Sequence, residues 1–211
     1  MIVSFPPGSG TDSNARFAAR EMSERLGVPV MVENKPGGNS FIAVDAVVKA
    51  KPDGYTLLLA SNSPVATNVA MFKELPYDPV KQLEPLAKLS FGAMGVAVPV
   101  DSPYSSIEDL VKAGKANPQK LNYGSGSASY RIATELFLSM ADMKANQIPY
   151  KGASSALTDL AGGQVDFVFA DYGAILPLYS AGKLKVLAVT GNDRLSSAPD
   201  VPTLQESGYK D

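Results

Sequence analysis

The chain has 211 residues, 45% of them hydrophobic and 19% charged, the balance of a folded protein of one large domain or two small lobes. Its 19 basic and 21 acidic residues leave a net charge of −2 with no run of either sign, which argues against nucleic-acid or membrane-surface partners. Cysteine and histidine are both absent, so disulfides, thiol nucleophiles, Ser-His-Asp triads and the usual zinc sites are excluded, and an enzyme here would depend on carboxylate, Lys or Tyr chemistry.

In chain order, the apolar run at 2–5 predicts a strand, followed by a Pro-Gly-Ser-Gly loop. Ala15, Ala18, Ala19, Met22 and Leu26 then recur at helical spacing. A second strand is expected over 28–32 and a helix over 42–48. A buried strand follows over 55–60, with the polar loop Ser61-Asn62-Ser63 after it. Residues 64–72 read as a helix before the Pro-rich passage at 75–79. The second block opens with an extended segment over 92–98 and a helix capped by Ser105 or Ser106 that runs to Ala116. Strands are predicted over 121–124, 147–150, 165–170 and 184–190. Helices are predicted around 132–140, 157–161 (ended by Gly162-Gly163) and 174–181.

This alternation predicts an α/β fold with mostly parallel sheets flanked by helices. The expected division is a first lobe of residues 1–98 plus 190–211 and a second lobe of 99–189. The chain opens inside an apolar strand with no secretory signal pattern and closes just past an expected helix start at Pro202. The expectation is therefore a chain shortened at both ends. No stretch approaches the roughly 18 continuous apolar residues of a membrane span.

Two loops have the composition of anion sites. Pro6-Pro7-Gly8-Ser9-Gly10-Thr11-Asp12 joins a strand to a helix, where unpaired backbone N–H groups and a partial positive charge suit a carboxylate or phosphate; Thr11 or Asp12 is placed to cap. Gly124-Ser125-Gly126-Ser127-Ala128-Ser129 repeats the arrangement with three hydroxyls, Ser127 or Ser129 serving as N-cap. Arg131 either faces solvent or reaches towards a bound anion. Ser61 to Ser63, Tyr150 to Ser154, and Asp171-Tyr172 also fall at strand ends, where ligands of open α/β sheets collect. Each of these loops also fits a plain strand-to-helix turn; their recurrence in both halves points to a ligand site. Neither glycine loop has the spacing of a dinucleotide or phosphate loop, and the serines lack a nucleophile-elbow pattern.

Seven ordered stretches carry a family resemblance. They are Phe5 to Asp12, Val32 to Gly38, Pro52 to Leu57, Leu75 to Pro79, Pro149 to Gly152, Asp159 to Asp166, and Gly182-Lys183-Leu184 running to Arg194 and Pro199 to Thr203. Together they resemble the Bug-type solute-binding receptors of tripartite tricarboxylate transporters, over essentially the whole chain. The resemblance implies a periplasmic, two-lobed, type II binding-protein fold that closes by a hinge on a small organic acid between its lobes. It implies delivery to the permease subunits of the transporter, with no catalysis, cofactor, metal, nucleic acid or membrane insertion. The resemblance places the ligand at the first Pro-Pro-Gly loop and the serine-rich loop; with the strand-end residues, the expected ligand-binding set is Phe5, Pro7, Gly8, Ser9, Gly10, Asp12, Ser61, Asn62, Ser125, Gly126, Ser127, Ser129 and Asp171. Two departures stand out. Gly8-Ser9 replaces the usual Gly-Gly, and residues 127–132 lack the His-Leu pair often found there. The rival readings are a sensory receptor serving a kinase, an enzyme using Lys151 or Asp171 in the same cleft, and a nucleotide-binding module.

Overall fold

The computed structural model describes residues 1–90 and 92–210. Its backbone contacts form two units, Met1–Phe91 with Ser127–Ser129, and Gly92–Gly126 with Tyr130–Asp211. Among the described residues no helix is long and apolar enough to cross a membrane.

The first unit is built on a parallel sheet of order β2-β1-β3, made of β1 (Ile2–Val3), β2 (Glu33–Asn34) and β3 (Leu58–Leu59). Val3 pairs with Asn34 on one side and Leu59 on the other. α1 (Gly10–Leu26) and α2 (Phe41–Val48) pack on β1, α1 through the small buried residues Ala15 and Ala19. α1 is held at both ends. The Ser9 side chain accepts from the Asp12 N–H, and Gly27 turns left-handed to bond the Ser23 carbonyl. A π-helical turn (Ser63–Thr67), α3 (Asn68–Met71) and α4 (Pro79–Gln82) complete the unit.

Two expected strands differ here. No strand forms over 28–32, because Pro29 has no N–H and the Val30 N–H is taken by the Ser23 hydroxyl at 2.8 Å. Pairing begins only at Glu33. The expected strand over 55–60 shortens to Leu58–Leu59, both half-buried, and Tyr55 is exposed with its N–H bound to the Asp53 carboxylate in a turn.

The second unit holds a mixed sheet of order β6-β5-β7-β4-β8. Its strands are β4 (Met94–Pro99), β5 (Asn122–Ser125), β6 (Asn146–Pro149), β7 (Phe167–Asp171) and β8 (Leu184–Val189). β5 runs parallel to β6 and β7, while β4 is antiparallel to β7 and β8. Side chains alternate across β7. Phe167 and Phe169 join Val96, Val98 and Tyr123 on the face covered by α5 (Ile107–Ala116) and α6 (Ala128–Met140). Val168 and Ala170 join Leu157, Leu160 and Ile175 on the face covered by α7 (Ala153–Ala161) and α8 (Tyr172–Ser180). Burial on both faces is why this strand is a continuous apolar run rather than an alternating one.

The boundary falls between residues 91 and 92 rather than at 98, because β4 pairs along its length with β7 and β8. The segment after β8, expected with the first lobe, packs here on the second unit. Val189 exchanges hydrogen bonds with Pro202 and Leu204, and Tyr209 stacks edge-on against Phe137 at 5.2 Å. The helix expected to start at Pro202 does not form; Thr203 bridges to Val189 and residues 204–208 form turns. Arg194 clamps the segment. Its Nε donates to both Glu206 carboxylate oxygens at 3.0 Å, and its Nη1 donates to the Pro199 carbonyl.

The Arg194 guanidinium, with the Thr203 N–H, holds the Glu206 carboxyl at about 2, down from its ordinary 4.5. The clamp's contribution to stability is therefore full above about pH 4.5 and disappears as the pH falls through about 2. Urea midpoints measured at about pH 5 and pH 2.5 should drop more for the wild type than for Glu206→Gln, which carries no such titration. Parallel drops would mean that the clamp does not stabilise the fold.

Candidate functional site

Because the three strands of the first sheet are parallel, their outgoing loops leave from one edge. The loop after β1 contains four candidate ligand residues, with Gly10 and Asp12 following in α1, and turns into that helix through Gly8, whose φ of +80° falls in the left-handed region that favours glycine. Phe5 and Ser9 are buried, while Pro7 and Gly8 are exposed. Ser9, rather than Thr11 or Asp12, is the N-cap. Helix geometry leaves the N–H groups of Gly10 and Thr11 without an intrahelical acceptor, at the positive end of the α1 dipole.

Asp12, 3% exposed, organises this edge. Its Oδ2 accepts from the Gly8 N–H at 2.9 Å and Arg16 Nε at 3.0 Å, and its Oδ1 accepts from Asn34 Nδ2 at 2.8 Å. The same Asn34 amide nitrogen donates to the Phe5 carbonyl at 3.0 Å, and Arg16 Nη2 donates to Asn34 Oδ1 at 3.2 Å. Burial works against the Asp12 charge, but bonds from Arg16, Asn34 and Gly8 outweigh it and hold the carboxyl below its usual range. The side chain thus ties the outgoing ends of β1 and β2 to the first turn of α1. The Ser4 hydroxyl, one residue past β1, is buried with no hydrogen-bond partner among the described residues.

A second cluster forms around Ser129. Its Oγ lies 2.7 Å from Ser63 Oγ and 3.2 Å from Thr67 Oγ1, and it donates to Asn62 Oδ1. The Ser61 hydroxyl accepts from the Ser63 N–H. The candidates Ser61, Asn62 and Ser129 thus join Ser63, from the same strand-end loop, and Thr67, which residue type and spacing did not single out. Ser129 falls in the first turn of α6, which begins at Ala128, so it is not the N-cap; Ser127 precedes the helix.

In the second unit the parallel strands β5, β6 and β7 likewise release their loops at one edge, each leading into a helix: α6, α7 and α8. Ser125 closes β5, and its carbonyl accepts from the Tyr150 N–H at 2.8 Å. Asp171, exposed at the end of β7, accepts from the Tyr130 hydroxyl at 2.8 Å. Burial, reinforced by the Asp171 charge, pushes the Tyr130 phenol well up, so it stays a donor at neutral pH.

Gly126 touches the start of α7. A Cβ built there would lie 2.5 Å from the Ala153 nitrogen, 2.6 Å from the Gly152 oxygen and closer still to the Gly152 carbonyl carbon. These are backbone atoms and cannot swing aside, so Gly126 is required for the two loops to sit side by side. Gly126→Ala should lower stability by about 1–3 kcal/mol. A thermal or urea midpoint unchanged from wild type would show that the loop relaxes instead.

Asn34, Arg16 and Tyr130 belong to these edges although composition alone does not single them out. The i, i+4 spacing of Asp12 and Arg16 is a sequence signal for their pairing; the other two contacts span 22 and 41 residues and leave no local trace.

Residues 14–211 match the family model described as "Tripartite tricarboxylate transporter family receptor". Curated relatives from Bordetella pertussis, Bordetella bronchiseptica and Cupriavidus necator are 35–38% identical over 98–100% of this chain, which spans 62–65% of their own length. Among solved structures, R. palustris Rpa4515 with adipate is 31% identical with a TM-score of 0.95, over 98% of this chain and 70% of that one. MatC from Rhodopseudomonas palustris with bound malate is 28% identical with a TM-score of 0.93, over 98% and 71%. The periplasmic binding protein BugD is 32% identical with a TM-score of 0.90, over 100% and 71%. The chain belongs to the tripartite tricarboxylate transporter family of receptors.

Proposed function

We propose that this chain is the solute-capturing part of a periplasmic receptor. It binds a small organic acid with one or two carboxylates, leaves it chemically unchanged, and presents it to the membrane subunits of a tripartite tricarboxylate-type transporter. The observation that carries this reading is the superposition of 98% of the chain on two relatives that hold the dicarboxylates adipate and malate.

The loop chemistry suits such a ligand. A carboxylate at the start of α1 would accept from the Gly10 and Thr11 N–H groups, with the helix dipole favouring its charge. At the end of β5, Ser125 and Ser127 place hydroxyl groups of the kind that bond a carboxylate. Hydrogen bonds to a charged group contribute about 1.5–3 kcal/mol each, set against several kcal/mol for ordering and desolvation. A micromolar complex, about −8 kcal/mol, therefore needs only a few of them. No step of this binding requires a covalent intermediate or a proton transfer.

Thermal-shift and calorimetric titration against mono-, di- and tricarboxylates, amino acids and aromatic acids should give saturable binding of at least one carboxylate, with the ligand recovered unaltered. Turnover of the acid would replace the receptor reading with an enzymatic one. Absence of binding across the carboxylates would remove the reading altogether.

The double change Ser125→Ala with Ser127→Ala should weaken carboxylate binding by about 1–3 kcal/mol, the scale of lost hydrogen bonds to an anion. Affinity equal to wild type would take this loop out of the site.

A further inference from the structure

The loop after β1 poses an electrostatic problem. It is the proposed seat of a carboxylate, a reading on which this inference rests, yet it already holds one. The Asp12 carboxylate is buried against the loop and takes the Gly8 N–H at 2.9 Å. A bare Asp12 charge would repel an incoming anion from the neighbouring amides. A like charge within about 6 Å, at a dielectric between those of protein and water, weakens an anion's binding by roughly tenfold.

Arg16 supplies the opposing charge. Its Nε meets Asp12 Oδ2 at 3.0 Å, one turn along α1, and its Nη2 is held by Asn34 Oδ1 at 3.2 Å. Asn34 in turn fixes the other Asp12 oxygen and the Phe5 carbonyl. The nearby pair on β2 and its exit, Lys35 with Glu33 at 2.6 Å, is already neutral, so the balance of this edge depends on Arg16. Both guanidinium nitrogens that bond here are engaged by Asp12 and Asn34 rather than offered outward.

We propose that Arg16 determines whether the first-unit loop accepts an anion, and that it does so by neutralising Asp12 rather than by touching the ligand. Arg16 and Asn34 are positioning residues in this arrangement. Asp12, expected from the sequence to be a ligand contact, is the scaffold that shapes the loop and whose charge must be cancelled.

A mutant cycle tests this, with calorimetric titration of adipate and malate into wild type, Arg16→Met, Arg16→Lys, Asp12→Asn and the Asp12→Asn/Arg16→Met double variant. Circular dichroism melts of each variant accompany the titrations. Arg16→Met should bind roughly tenfold more weakly than wild type, and Arg16→Lys, which keeps the charge, within about threefold of it. Asp12→Asn, which leaves the Arg16 charge uncancelled, should bind more tightly than wild type, and the double variant should match wild type, because neither carries a net charge beside the loop. That last comparison decides the matter even if Arg16→Met does not fold. A double variant that binds tenfold or more below wild type would mean that Arg16 contacts the anion directly, and wild-type affinity in Arg16→Met would mean that it has no part in binding; either overturns the proposal. If wild type binds neither acid, the carboxylate reading itself fails and the proposal with it. A wild type that binds alongside a flat cycle condemns the proposal alone.

Discussion

Parallel strand pairing determines where the polar chemistry of this chain collects. Adjacent parallel strands must release their connections at the same edge, so β1, β2 and β3 bring Gly8, Asn34 and Ser61 to one rim. β5, β6 and β7 do the same for Ser125, Tyr150 and Asp171. Residues far apart in sequence become neighbours there, and the helices that follow point their N-termini to that rim.

Within the first unit, one carboxylate makes that arrangement rigid. Asp12 lies in the first turn of a helix and draws in donors from its own loop, its own helix and the next strand. A nearly inaccessible charge is tolerated because three directed hydrogen bonds, one of them from a guanidinium, offset the loss of water. Among the described residues, the rim of the second unit has no buried charge. Its loops are set by close backbone packing of Gly126 on Gly152 and Ala153, and by a phenol donating to an exposed carboxylate. Charge-assisted bonds position one rim and steric fit positions the other.

Behind the rims, stability comes from a sheet whose central strand is apolar on both faces. Phe167 and Phe169 fill one layer and Val168 and Ala170 the other, so neighbouring residues serve separate cores. The segment after β8 adds Leu204 and Tyr209 to the first of these layers. Its attachment is long-range pairing to Val189, which explains why residues 190–210 belong with this sheet although nothing in their composition says so.

Much of the helical structure was legible because its determinants are local. Ser106 caps α5 within three residues, the pair Gly162-Gly163 follows α7, and the apolar period of α1 and α2 is visible in a short window. The two helix-start loops were recognisable for the same reason, since glycine and hydroxyl residues between a strand and a helix have few other uses. Strand extent was less accessible. A Pro29 without an N–H and a Val30 N–H diverted to Ser23 removed one expected strand, and that diversion depends on a helix already in place. The roles of individual loop residues were the least legible. Type and spacing identify Asp12 as a capable acceptor, but they cannot say that Asn34 and Arg16 will claim it or that Tyr130 will meet Asp171. Such partnerships are set by the order and register of the strands, which arise from contacts summed over the whole sheet and not from any one stretch of chain.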